Sequence, residues 1–421
     1  MIQALELFPG ITLRCIPDQR FKHGCLSIQF LRPMCQQEAA MNALLPAVLL
    51  RGCEAAPDLR AITQRLDDLY GAGVGALVRR VGDWQTTGFY CSFTEDRYAM
   101  TGDQIFAPLT QFVRQLLLEP LQENGHFRCD YVDSEKKNLI STIESQKNDK
   151  RAYAMDKLLR AMCRADSFGI PRLGFAQDVQ AITAESLFAH YQKVLRESPI
   201  HLFYVGSEKP ETVAALLKPL FEGLRREPVT LAAQTPFCDG GSQELSESLD
   251  VNQGKLCMGF VTPIINRGSD FAAMQLLNVI YGSGMTSKLF VNVREKMSLC
   301  YSIGSGYYGT KGIMVVSAGI DFGKEQLTRE EVLRQLKLCQ EGGITTQELN
   351  SAKEALLSSL RSTHDSPGAI EGFYATAALS GLVFSHDEYM EAVENTTTHD
   401  VVACANSLQL HTTYFLKGGN Q

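Results

Sequence analysis

Two landmarks far apart in the chain recur at nearly one spacing. Tyr70-Gly71-Ala72-Gly73 closes a helical pattern (Leu59, Ile62, Leu66, Leu69), and Tyr281-Gly282-Ser283-Gly284 closes another (Phe271, Met274, Leu277, Val279). The step from Tyr70 to Tyr281 is 211 residues. The strand-like His201-Leu202-Phe203-Tyr204-Val205-Gly206 and the closing His411-Thr412-Thr413-Tyr414-Phe415-Leu416-Lys417-Gly418 are separated, glycine to glycine, by 212. Chance glycine motifs rarely share an offset across two landmarks, so the spacing predicts two homologous domains, 1–224 and 249–421. The join falls at 225–248, where Arg225-Arg226-Glu227-Pro228, Thr235-Pro236 and Gly240-Gly241-Ser242 supply turn formers without apolar periodicity. A chain of 421 residues also exceeds what a single core usually holds.

Within each half, Ile11 to Ile16, Leu26 to Phe30, Thr86 to Phe93 and Ile313 to Ile320 read as strands. Ser134 to Met162 and Arg329 to Arg361 read as long helices. Strands paired between helices predict an α+β fold of layered domains and not a doubly wound sheet. With 45% hydrophobic and 21% charged residues the cores are well supplied.

A net charge of -7 offers no footprint for a phosphate backbone, which argues against nucleic acid as a partner. The opening MIQALELFPG lacks the pattern of a signal peptide, and the apolar run Ala43 to Leu50 is too short to span a bilayer. Twelve cysteines scattered without a CxxC pair read as reduced, core-filling thiols, the usage of a cytoplasmic protein. Gly282-Ser283-Gly284-Met285-Thr286-Ser287-Lys288 is not a phosphate loop, because the G-x-x-x-x-G-K-[ST] spacing is broken; it reads as a turn between helices. No two of the eight histidines stand three or four residues apart, so a helical zinc site is not expected.

The stretch Ser287-Lys288-Leu289-Phe290-Val291-Asn292-Val293-Arg294-Glu295-Lys296-Met297-Ser298-Leu299-Cys300-Tyr301-Ser302 resembles the C-terminal domain signature of the pitrilysin/insulinase zinc peptidases, which include mitochondrial processing peptidase. The resemblance runs on through Gly10-Ile11-Thr12-Leu13, Leu66-Asp67-Asp68-Leu69-Tyr70-Gly71 and Phe168-Gly169-Ile170-Pro171. It implies two like domains of the mitochondrial processing peptidase type facing each other around a chamber for extended peptides. Active relatives carry H-x-x-E-H, two histidines that bind zinc and a glutamate that serves as base. Aligned on Arg51-Gly52, this chain has Ala43 and Ala47 at the histidine positions and Pro46 at the base. The third ligand falls at Thr142, with the preceding Glu135 kept and Glu144 as the alternative equivalent.

Ala43, Pro46 and Ala47 can neither ligate a metal nor take a proton, a threonine hydroxyl is a poor zinc ligand, and a lone carboxylate makes no site, so the resemblance implies a chain with no catalytic residues and no metal of its own. Arg294 and Tyr301 match the pair with which the family's second domain reaches substrate and developing oxyanion. Together these imply the silent, peptide-binding subunit of a two-chain peptidase whose zinc sits in a catalytic homologue, with homodimers possible in isolation. A scaffolding protein without peptide substrate is the alternative, and a hydrolase with a new site around Asp67, Asp68 and Glu135 a third.

Overall fold

The computed structural model describes residues 3–230, 232, 237, 243–382 and 384–419. From the N terminus the chain runs through β1 (Gln3–Phe8), β2 (Ile11–Pro17), β3 (His23–Pro33), α1 (Gln36–Leu49), α2 (Leu59–Asp67), β4 (Gly73–Val81) and β5 (Trp84–Thr94). There follow α3 (Phe106–Leu118), the small hairpin β6 (Gln122–Glu123) and β7 (His126–Phe127), α4 (Cys129–Ser145), α5 (Lys150–Met162), α6 (Ala176–Ala181), α7 (Ala184–Glu197), β8 (Ile200–Gly206) and α8 (Pro210–Leu217). The remainder is β9 (Gln243–Leu249), β10 (Gly254–Val261), α9 (Phe271–Asn278), β11 (Cys300–Tyr308), β12 (Ile313–Ile320), α10 (Glu325–Gln340), α11 (Thr346–Ser362), α12 (Pro367–Ser380), α13 (His386–Asn395), α14 (Thr398–Ser407) and β13 (Gln409–Gly418).

Two compact units result. The first comprises Met1–Glu144, Ile170–Ala232 and Thr363–Thr376, and the second Ser145–Gly169, Ala233–Ser362 and Ala377–Gln421. The contiguous division into 1–224 and 249–421 therefore differs from the observed one at two exchanged segments: α5 belongs to the second unit and the start of α12 to the first. Nothing in local periodicity marks such an exchange, because helix patterning reports which face is apolar and not which sheet it meets. Part of the expected linker is also structured. β9 occupies its end and pairs in parallel with β13, while Glu227 and Val229 donate to the carbonyls of Arg196 and Glu197. Thr235-Pro236, Cys238 and Gly240-Gly241-Ser242 lie outside the described residues.

The first sheet has the order β1-β2-β8-β3-β5-β4 and the second β11-β12-β10-β13-β9. Read from β2 and from β9, the two share one pattern: a parallel pair, then three antiparallel ones. In the first unit, alternation sends Leu26, Ile28, Phe30, Phe89 and Leu202 to one face, where they pack with Leu44, Leu45 and Val48 of α1. Burying such side chains stabilises by roughly 1.5–3 kcal/mol each. The opposite face carries Ser27, Gln29 and Arg79, which meet α12. In the second unit, α5 lays Ala154, Leu158 and Met162 against Cys257, Val315 and Tyr414. Gly259 lets it approach, since a Cβ there would stand 2.7 Å from the Met162 sulfur.

Both long helices expected from sequence are broken. The segment Ser134 to Met162 splits at Asp149, whose carboxylate caps α5 by accepting from the amides of Arg151 and Ala152 (both 3.0 Å). The segment Arg329 to Arg361 splits at Gly342, which takes φ +84° to end α10, and restarts at Thr345, whose hydroxyl and Glu348 form a capping box. No described helix is long and apolar enough to cross a membrane.

Candidate functional site

α1 starts on a buried ionic cluster. Arg32 grips Glu38 through two bonds of 2.8 Å, and Lys193 adds a third at 2.7 Å. Burial works against the Glu38 carboxylate, yet the bonds from Arg32 and Lys193 outweigh it and hold the group at about 2. One turn on, buried Asn42 donates to Gln85 (2.9 Å), and its side-chain oxygen meets Nε2 of His190 (2.7 Å). Gln85 in turn donates to the carbonyls of Ala39 and Arg172 (3.0 and 2.7 Å). Burial pulls the His190 imidazole down to about 4, so it is neutral at physiological pH and fits as a member of a hydrogen-bonded core.

Ala43 and Pro46 are buried and Ala47 half-buried. Proline inside a helix leaves the carbonyl four residues back without its amide. Here that carbonyl belongs to Asn42, and the Thr87 hydroxyl of β5 supplies the missing bond at 2.7 Å. The space beside the Pro46 ring, bounded by Phe30, Leu45, Phe89 and Tyr191, holds about 10 Å³. Such a space takes at most about one water, and of its lining side chains only Thr87 and Tyr191 carry a polar atom.

Glu135 of α4 is committed to Arg51 (3.2 Å), whose guanidinium also stacks over Tyr131 (5.1 Å). Thr142 is exposed and donates to the carbonyl of Asn138 (2.9 Å); Glu144 is exposed as well. Seven residues of helix put Thr142 about 10 Å beyond Glu135. Asp67 and Asp68 stand exposed at the end of α2. Among the described residues no three His, Cys, Asp or Glu side chains gather in a group that could hold a metal ion.

Arg294 and Tyr301 belong to the second unit. Two consecutive π-helical stretches, Val279–Ser283 and Leu289–Lys296, follow α9, and such wide turns occur often at functional sites. Met297 donates to the carbonyl of Asn292 (3.2 Å), Leu299 to Val293 (3.0 Å) and Ser298, at φ +49°, to Arg294 (3.1 Å). That turn joins the helical stretch carrying Arg294 to the start of β11, which carries Tyr301. Arg294 lies over the Phe290 ring (4.6 Å) and meets Glu295 through Nε at 3.6 Å.

Tyr301 is the extra residue of a β-bulge, since Cys300 pairs with Ile320 and Ser302 with Gly319. A bulge re-aims the side chain it carries, and Tyr301 stands 61% exposed with its hydroxyl donating to Asp321 (2.7 Å). It is not a core residue. Lys288, which the broken phosphate-loop motif ends on, is buried against Glu348 (2.6 Å).

The family model described as "Peptidase M16 inactive domain" matches residues 181–356. Over 97% of its length the chain is 28% identical to a Bacillus subtilis protein named probable inactive metalloprotease YmfF, covering 96% of that relative. A solved structure of a conserved protein from Enterococcus faecalis superposes with a TM-score of 0.92 at 26% identity, covering 100% of this chain and 99% of that one. The chain is thus similar to the M16 peptidases, among them relatives described as inactive. A further solved structure, titled a peptidase M16 inactive domain from Pseudomonas fluorescens, shares the fold at a TM-score of 0.82 and 19% identity over 99% of this chain and 98% of its own.

Zinc does not fit α1 of this chain. Its would-be ligand positions present methyl groups and a pyrrolidine ring, and the polar atoms around them are consumed by Thr87, Gln85 and His190. The residues that sequence reasoning missed are Asp321 and Lys324. Local sequence carries no signal for them, because Asp321 comes near Tyr301 only through the β11–β12 pairing that sets Cys300 opposite Ile320.

Proposed function

We propose that this chain is the non-catalytic subunit of a two-chain zinc peptidase, binding peptide for a catalytic homologue that carries the metal. The observation that supports it is an asymmetry of preservation. The metal-binding face of α1 has been replaced by a closed, hydrogen-bonded core, while Arg294 and Tyr301 remain on the surface of the second unit, with Tyr301 61% exposed. A fork of guanidinium donors and an exposed phenol on the same unit suit the amides of an extended peptide. Structural duty would bury both, as it buries Lys288 against Glu348.

Co-expression with a zinc-bearing homologue from the same genome tests the reading. A stable pair that cleaves unstructured peptides is expected, with Arg294→Ala raising KM about ten-fold or more, the loss of a charged hydrogen bond. If the pair forms and Arg294→Ala leaves both KM and kcat untouched, the chain is a scaffold. If the isolated chain cleaves peptides with equimolar zinc, the pseudoenzyme reading fails outright.

A further inference from the structure

A phenol carries one proton and two lone pairs. In Tyr301 the proton is already used, because the hydroxyl donates to Oδ1 of Asp321 at 2.7 Å. Asp321 is held for that role: its Oδ2 meets the Lys324 ammonium at 3.0 Å, and Lys324 also donates to the carbonyl of Ser298 (3.0 Å). Ser298 is the residue whose amide bonds the carbonyl of Arg294. One chain of bonds thus links Tyr301, Asp321, Lys324 and the turn that carries Arg294.

The hydrogen bond to Tyr301, followed by Lys324, keeps Asp321 ionised below the usual carboxylate range. The same bond, with the Asp321 charge, raises the Tyr301 phenol above its ordinary value, so it stays protonated. A carbonyl or oxyanion seeking a donor at Tyr301 would have to break this bond and approach a carboxylate. An N–H would have to do neither. Arg294 has the opposite polarity, being donor-only, and among the described residues its ion contact runs through Nε alone.

We propose that Asp321 is a positioning residue that turns Tyr301 into a hydrogen-bond acceptor, so that the Arg294/Tyr301 surface selects an extended backbone presenting C=O to Arg294 and N–H to Tyr301. This rests on the peptide-binding reading above and reverses the oxyanion role that the family resemblance implies for the tyrosine. A donor and an acceptor tied to one chain of hydrogen bonds match the alternating groups of a strand edge, which favours backbone over any one side chain.

Two measurements on the full chain test it. In protein labelled with ¹³C at the tyrosine ζ position, the resonance absent from Tyr301→Phe is followed through its titration. Asp321→Ala lowers its midpoint; an unmoved midpoint overturns the positioning role whatever the ligand. In the second, a fluorescein-labelled, unstructured decapeptide and its single amide-to-ester analogues are titrated by fluorescence anisotropy. At one position the ester weakens binding about five-fold, the worth of one neutral hydrogen bond.

That loss vanishes in Tyr301→Phe and in Asp321→Ala, but persists in Asp321→Asn, whose amide oxygen still takes the phenol proton. A flat ester scan, or a loss that survives Tyr301→Phe, overturns the inference while binding that still depends on Arg294 leaves the proposed function standing. Binding indifferent to Arg294→Ala overturns the proposed function and the ligand half of this inference together.

Discussion

Glu371→Ala releases the start of α12 from the first unit's sheet. The Glu371 side chain is fully buried, and four bonds reach it: Arg79 through two at 2.9 and 2.8 Å, Ser27 at 2.7 Å and Gln29 at 2.8 Å. Gln29 keeps a second bond to the Ser27 oxygen (3.0 Å), and Arg79 is one-third exposed and can hydrate. Removing one partner of a buried pair costs about 3–5 kcal/mol, and the hydration of Arg79 puts this case at the lower end, about 3. The loss falls on the docking of α12, because Ser27 and Gln29 stay within a sheet paired on both sides.

At 1.36 kcal/mol per decade, about 3 kcal/mol speeds exchange of the α12 amides by roughly 150-fold where opening is local. Hydrogen exchange read by mass spectrometry over peptides covering 366–376 gives the number. Arg79→Lys, which cannot grip both oxygens at once, falls between wild type and Glu371→Ala. Unchanged protection of 366–376 in Glu371→Ala, or a loss spread evenly over both units, refutes the argument.

Thr87→Val strands the Asn42 carbonyl that Pro46 cannot satisfy and costs about 1–3 kcal/mol in urea unfolding; in a Pro46→Ala background the restored amide takes over, and the cost falls below half, whereas equal costs in both backgrounds refute the pairing. His190, ordinarily near 6.5 and held at about 4, stays neutral in the fold while the unfolded chain takes up a proton. Its contribution is therefore fully present above pH 6.5 and is lost as pH falls towards 4, by up to about 3 kcal/mol. His190→Gln keeps a donor to Asn42 and flattens the urea midpoint across that window; an unaltered slope counts against the buried, neutral imidazole. Elemental analysis of chain purified without chelator and dialysed against zinc finds far less than one zinc per chain, and equimolar metal resistant to dialysis contradicts the reading of α1.

Much of the architecture is legible because the signals are local. Strand alternation marks Ile313 to Ile320 at its true bounds, and the disqualification of α1 as a metal helix needs only the chemistry of Ala43, Pro46 and Ala47. The helix breaks were legible too: Asp149 before Lys150, and Gly342-Gly343 before Thr345 and Glu348, are capping signals that the apolar periodicity overrode. Other features have no local trace. That α5 serves one sheet and α12 the other depends on contacts made across long stretches of chain, such as Ser27 to Glu371.

The sequence alone settled which chemistry α1 could never perform, since a methyl group is the same in any fold. Only tertiary structure decided what Tyr301 offers a ligand. Whether a phenol donates or accepts is set by the neighbour that takes its proton, and a bulge twenty residues upstream of Asp321 brings that neighbour within 2.7 Å.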